Sequence, residues 1–88
     1  MAELRGQTVV LIGGSAGIGL ETARRARGEG AEVILTGRSV DRLEHAASDV
    51  GAKSTAAFDA TDTDALKTFF GDLQTPIDHV LVLSLIHI

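Results

Sequence analysis

A glycine-rich stretch that follows a short apolar run is the part of this sequence best suited to hold an anion. It reads Gly13-Gly14-Ser15-Ala16-Gly17-Ile18-Gly19, a G-x-x-x-G-x-G spacing. Gly13 allows a tight turn, Gly17 has no side chain to keep a pyrophosphate from the backbone, and Gly19 allows close helix packing. The N–H groups and dipole of a following helix attract phosphate. The spacing predicts a dinucleotide site, with a plain strand-to-helix turn as the alternative.

A second candidate, Arg38, lies about 20 residues beyond the glycines, in the sequence TGRS at the end of the next predicted strand. An acidic residue there would bind the ribose hydroxyls of NAD and repel a 2′-phosphate, whereas a guanidinium donates to that phosphate. The first acidic residue after this strand is Asp41. Arg38, with Ser15 as a second donor, therefore favours NADP over NAD. The alternative is an ordinary exposed loop arginine.

A third polar motif, Asp59-Ala60-Thr61-Asp62, closes the third predicted strand. Carboxylate and hydroxyl side chains at such a place can serve a ligand or start a helix. We interpret Asp62 as a helix cap, and Thr61 with Asp64 as a start resembling a capping box.

Strands and helices alternate regularly between these motifs. Apolar, β-branched runs predict strands, and apolar residues spaced three and four apart predict helices. Ser39 and Gly51 are suited to start and stop the second helix, and Leu66, Phe69, Phe70 and Leu73 form the apolar stripe of the third. The predicted strands cover residues 8–12, 32–36, 54–58 and 77–82, and the predicted helices residues 18–29, 40–50 and 62–73. This order requires an α/β fold with a doubly wound parallel sheet.

Together these motifs resemble the N-terminal half of the short-chain dehydrogenase/reductase family, whose pattern is T-G-x-x-x-G-x-G. The resemblance covers residues 5–82, and Ile12 stands where the family has threonine. It implies a partial Rossmann-like sheet with strand order 3-2-1-4. It also implies that Asp59 accepts from the adenine amine and that Ala60 lines the ring. The implied cofactor-binding residues are Gly13, Ser15, Gly17, Ile18, Gly19, Arg38, Asp59 and Ala60.

The resemblance further implies an oxidoreductase that transfers hydride between NADP(H) and a small carbonyl or alcohol. Family enzymes use a tyrosine, a lysine four residues after it, and a serine, all beyond the fourth strand. This sequence contains no tyrosine, so we expect a cofactor site without catalytic residues and an inactive fragment. The alternative is a non-catalytic NADP-binding sensor or regulatory module of the same fold. For the full-length protein the resemblance implies a homo-oligomer.

The composition argues against several classes of binding partner. The net charge is −4 and the acidic residues are scattered, which argues against nucleic acid or an anionic membrane as partner. The absence of cysteine is typical of a cytoplasmic protein. The three histidines are far apart and predict no metal site. Arg24, Arg25 and Arg27 are expected to form a solvated helix face.

The chain is expected to divide at residue 82. Residues 1–82 are predicted to be the N-terminal part of a single NAD(P)-binding domain. The last six residues, LSLIHI, lack the Ala-Gly turn that the family has after its fourth strand. We expect residues 83–88 to be a non-native tail, the alternative being a simple extension of the fourth strand.

Overall fold

A computed structural model describes residues 4–13, 18–73 and 76–82. In this part of the chain, strands and helices alternate in the predicted order. The strands are β1 (Thr8–Ile12), β2 (Glu32–Gly37), β3 (Ser54–Ala57) and β4 (His79–Val82), and the helices are α1 (Ile18–Gly28), α2 (Val40–Val50) and α3 (Thr63–Asp72).

The strands form one parallel sheet in the order β3-β2-β1-β4. β1 lies between β2 and β4, with Ile12 opposite both Thr36 and Val82. On the far side of β2, Thr36 lies opposite Ala56. The predicted strand order is confirmed, and the carboxyl ends of all four strands lie along one edge of the sheet.

One face of the sheet is packed against α1 and α2. Side chains alternate between the two faces of a strand, so every second residue of β1 and β2 points to the same helices. The small residues Ala23 and Ala26 let α1 approach closely. The buried members of this cluster are Val9, Leu11, Ala23, Ala26, Ala31, Val33, Leu35, Leu43, Ala46 and Val50.

The opposite face is covered by α3, which makes the fold doubly wound as predicted. Val10, Ile12 and Ile34 are buried there. The predicted apolar stripe of α3 packs against them, but its members are only half-buried. The Phe69 ring lies 5.2 Å from that of Phe58 and 5.1 Å from that of Phe70, measured between centroids. These rings contribute apolar contact area under the helix.

The ends of the helices are set by local hydrogen bonds. Ser39 caps α2 as predicted, since its hydroxyl accepts from the Arg42 N–H at 3.3 Å. Gly51 ends α2 in the left-handed region at φ +73°, where its N–H donates to the Ala47 carbonyl. Asp62 caps α3 by accepting from the N–H groups of Asp64 and Ala65. The predicted capping box of Thr61 with Asp64 is wrong, because Asp62 is the N-cap residue of α3 and the Thr61 hydroxyl donates to Asp59.

The predicted solvated face of α1 is correct for two of its three arginines. Arg24 and Arg25 are exposed and form ion pairs with Glu21, and Arg24 also pairs with Asp49. Arg27 is half-buried and donates from Nη1 to the Ala31 carbonyl at 2.9 Å. Its position one residue before the end of α1 lets it bond to the chain entering β2. The expectation of a solvated Arg27 is therefore wrong.

Four predicted elements are longer than the observed ones. The predicted α3, residues 62–73, is one residue too long at each end, since the helix covers Thr63–Asp72. α1 ends one residue earlier than predicted, at Gly28, and β3 ends one residue earlier, at Ala57. β4 begins at His79, because the preceding Asp78 bonds to Thr8 with both its backbone N–H and its side chain. Such ends depend on contacts between distant segments, which periodicity does not encode.

Candidate functional site

The candidate site is the edge of the sheet at which all four parallel strands end. Gly13 follows β1, Arg38 follows β2, and Asp59 comes two residues after β3. The Phe58 N–H donates to the Gly37 carbonyl at 2.8 Å, which keeps the loops after β2 and β3 side by side. The topology therefore brings together motifs that are far apart in the sequence. In open α/β sheets, this carboxyl edge is where ligands bind.

Gly13 begins the turn out of β1 with a backbone that favours glycine. Its φ is +89°, a region that a Cβ makes costly. The Gly13 N–H donates to the Thr36 carbonyl at 3.1 Å and lies 3.4 Å from the Thr36 hydroxyl oxygen. The predicted tight turn at this glycine is thus present.

Thr36, on the neighbouring strand, stabilises this turn. It was not among the residues predicted from the sequence to matter for the site. Its side chain is 1% exposed, and its hydroxyl donates to the Leu11 carbonyl at 3.1 Å. The hydroxyl thereby connects the end of β2 to the end of β1. A threonine that ends an otherwise apolar strand was the available signal, because a buried hydroxyl needs a hydrogen-bond partner.

The remaining glycine-motif residues are only partly described. Ser15 and Gly17 lie outside the described residues. Ile18 is the first residue of α1, and Gly19 is buried in its first turn. The predicted helix therefore begins within the glycine motif, next to the turn at Gly13. A helix N-terminus in this position offers N–H groups and a positive dipole end to an anion.

Arg38 is exposed between β2 and the cap of α2. The sequence places no carboxylate between Glu32 and Asp41. Its guanidinium is a planar set of donors suited to a phosphate. At the end of β2 the edge therefore presents a cation.

Asp59 lies in a turn between β3 and α3 and is exposed, as is Ala60. The carboxylate oxygen Oδ1 accepts from the Thr61 hydroxyl at 2.7 Å and from the Thr61 N–H at 2.9 Å. These two bonds, the hydroxyl bond first, lower the pKa of Asp59, and the charge of Arg38 adds to the effect. Asp59 is consequently an ionised acceptor close to a cation.

Other polar groups give no second candidate site. Within residues 4–13, 18–73 and 76–82, no three His, Asp or Glu side chains converge on a place that could hold a metal ion. His45 is exposed on α2, and the Nε2 atom of His79 lies 2.7 Å from Oε1 of Gln7. His87 lies outside the described residues.

Comparison with known sequences assigns the chain to a family. A sequence model of the short chain dehydrogenase family matches residues 7–85. The chain belongs to the short-chain dehydrogenase family. Two relatives of this chain are gluconate 5-dehydrogenase of Gluconobacter oxydans, 43% identical over 67 residues, and the NADP-dependent (R)-specific alcohol dehydrogenase of Lentilactobacillus kefiri, 34% identical over 86 residues.

A solved relative has the same arrangement of strands and helices. The crystal structure of BdcA in complex with NADPH superimposes with a TM-score of 0.86 at 30% identity, covering the whole of this chain and 35% of BdcA. The two dehydrogenases named above match 72% and 86% of this chain, which in turn spans 26% and 34% of their lengths. The chain thus spans about a third or less of the proteins that it resembles, and corresponds to their N-terminal part.

The expected family and fold are confirmed. Of the helices in the described part of the chain, none is both long and apolar enough to cross a bilayer. The assignment of individual residues to a cofactor is taken up below.

Proposed function

We propose that the carboxyl edge of this sheet binds NADP(H) in preference to NAD(H). The observation that carries the proposal is Arg38, an exposed guanidinium at the end of β2 in a stretch without carboxylates. A 2′-phosphate is the group that distinguishes NADP from NAD, and a guanidinium binds it with two donors. The name of the NADP-dependent relative and the NADPH complex of BdcA support this choice.

The residues at the edge fit the other parts of such a cofactor. Gly13 has no Cβ, and this allows the positive φ of the turn after β1. We assign the pyrophosphate to Gly13, Gly17, Ile18 and Gly19, with Ser15 as a second donor to the 2′-phosphate. We assign the adenine to the loop after β3, with Asp59 accepting from its amine and Ala60 lining the ring.

The complete protein is proposed to be an oxidoreductase acting on a small carbonyl or alcohol. Bound nicotinamide supplies or accepts the hydride. The residues described here contribute binding and orientation, and the tyrosine that acts as general acid in the family would belong to another part of the protein, because this sequence contains no tyrosine. We therefore propose that these 88 residues bind cofactor without turnover.

Four further expectations remain proposals. These are a single domain over residues 1–82, a non-native tail at residues 83–88, a cytoplasmic location and a homo-oligomer for the full-length protein. Residues 83–88 lie outside the described part of the chain.

Replacement of Arg38 by alanine tests the cofactor preference. Loss of a charged hydrogen-bond partner costs about 1.5–3 kcal/mol, so NADPH should bind roughly 10- to 150-fold more weakly. NADH affinity should change by less than about twofold, because its ribose carries no phosphate. Both affinities are measured by isothermal titration calorimetry.

Arg25→Ala is the matched control. Arg25 is an exposed arginine near the end of α1, away from the carboxyl edge, so its removal changes net charge equally. Both cofactors should bind this variant as they bind the unchanged chain. Equal losses of NADPH and NADH binding in Arg38→Ala would overturn the assignment of Arg38 to the 2′-phosphate.

A further inference from the structure

Thr61 donates two hydrogen bonds to the carboxylate of Asp59. The Thr61 hydroxyl and N–H donate to the same oxygen, Oδ1, at 2.7 and 2.9 Å. Neither bond uses Oδ2. Two donors on one oxygen restrict rotation of the carboxylate, so Thr61 determines where the second oxygen lies.

The turn that contains this pair is closed on both sides. Before it, the Phe58 N–H donates to the Gly37 carbonyl and fixes the chain beside Arg38. After it, the Asp62 N–H donates to the Asp59 carbonyl at 2.9 Å, and the Asp62 side chain caps α3. Because Asp62 supplies the cap, the Thr61 hydroxyl is not needed to start the helix.

We propose that Thr61 is a positioning residue, which orients Asp59 so that Oδ2 accepts from the amino group of the adenine of NADP(H). The inference rests on the function proposed above, in which Asp59 faces the adenine. An ionised carboxylate accepts hydrogen bonds but cannot donate them. It therefore selects a base with an amino group over one with a carbonyl at the same position.

The electrostatics of the turn support this role. The two bonds from Thr61 stabilise the ionised form of Asp59 and lower its pKa, with a further contribution from Arg38. The stabilisation is present above the ordinary carboxylate range and is lost as pH falls through the lowered pKa. At neutral pH an aspartate is ionised with or without these bonds, so the contribution of Thr61 there is to orient the carboxylate.

The first test is the titration of Asp59 in the unbound chain. Thr61→Val removes the hydroxyl and keeps the N–H, whereas Thr61→Ser keeps both. The Asp59 pKa, followed by the ¹³C shift of its carboxyl carbon, should rise in Thr61→Val and stay close to that of the unchanged chain in Thr61→Ser. Thr63→Val, an exposed position in the first turn of α3, is the control and should leave it unchanged. An unaltered Asp59 titration in Thr61→Val would overturn the inference.

The second test compares NADPH with its hypoxanthine analogue, which has a carbonyl in place of the amino group. Thr61→Val should weaken NADPH binding about three- to tenfold and leave binding of the analogue unchanged. Thr61→Ser and Thr63→Val should bind both as the unchanged chain does. Equal losses for the two cofactors would overturn the role of Thr61 and leave the proposed function intact. Failure of the unchanged chain to bind NADPH would overturn both.

Discussion

The two ends of the sheet both carry polar side chains but use them differently. At the amino end, the Asp78 carboxylate accepts from the Thr8 N–H at 2.8 Å, and the Asp78 N–H donates to the Thr8 carbonyl at 3.0 Å. Next to it, the His79 ring bonds to the Gln7 side chain. These groups satisfy one another and connect β4 to β1.

At the carboxyl end, the polar groups are arranged for something outside the chain. Arg38 extends into solvent, and the bonds of Asp59 involve only one of its two carboxylate oxygens. Gly13, in the turn after β1, has no Cβ that would fill the space outside the chain. Polar composition alone therefore does not mark a binding site. An end of the sheet whose charges point to solvent is the candidate for binding, and the end with internally paired groups is structural.

The largest effect on stability is expected at the amino end. Asp78→Ala removes the carboxylate that accepts from the backbone N–H of the buried Thr8. This loss should lower the free energy of unfolding by about 1–3 kcal/mol. NADPH affinity should stay unchanged, because Asp78 lies at the opposite end from Arg38. Urea denaturation and calorimetric titration measure the two quantities.

The control for this variant is Asp72→Ala, which removes an exposed carboxylate from the last turn of α3. A negative charge is unfavourable at a helix C-terminus, so its loss should leave stability unchanged or slightly higher. If Asp78→Ala weakened NADPH binding as much as it weakened the fold, the proposed separation of the two ends would be wrong.

A smaller loss of stability, together with a loss of binding, is expected for Gly13→Ala. A Cβ at φ +89° should cost about 1–2 kcal/mol and distort the turn that is proposed to receive the pyrophosphate. NADPH and NADH should lose affinity equally, because both contain the pyrophosphate. The measurements are the same urea and titration experiments.

Gly71→Ala is the matched control, since Gly71 is in α3 and a Cβ there would meet nothing within 4 Å. Alanine is favoured over glycine within helices by about 0.5–1 kcal/mol, so this variant should be slightly more stable and bind NADPH normally. Unchanged binding by Gly13→Ala would contradict the assignment of this turn to the pyrophosphate.

The sequence allowed the fold to be predicted because its strongest signals are local. The apolar runs of β1 and β2, the cap Ser39 and the stop Gly51 each act within a few residues. Parallel pairing then follows from the alternation of strands and helices. The depth of burial of α3 could not be predicted in this way, because the same apolar stripe suits a fully or a partly covered helix.

Gly13, Arg38 and Asp59 were predicted as site residues from their types and spacing, and the structure places them at one edge of the sheet. Their binding roles stay predictions. The supporting contacts of Thr36 and Thr61 could not be predicted from periodicity, and neither could the contact of Arg27 near the end of α1. The hydroxyl of Thr36 contacts a residue 25 positions earlier, so its partner becomes visible only once the strands are paired. Thr61 was interpreted as part of a capping box, since hydroxyls near a helix start serve either role.

The central claim is that the carboxyl end binds the cofactor and the amino end does not. The most direct measurement is a titration of the ¹⁵N-labelled chain with NADPH, followed by amide chemical shifts. The account predicts saturable shifts at Gly13, Arg38 and Thr61, and constant shifts at Gln7 and His79. Shifts concentrated at Gln7 and His79, or no saturable shift at the carboxyl end, would contradict it.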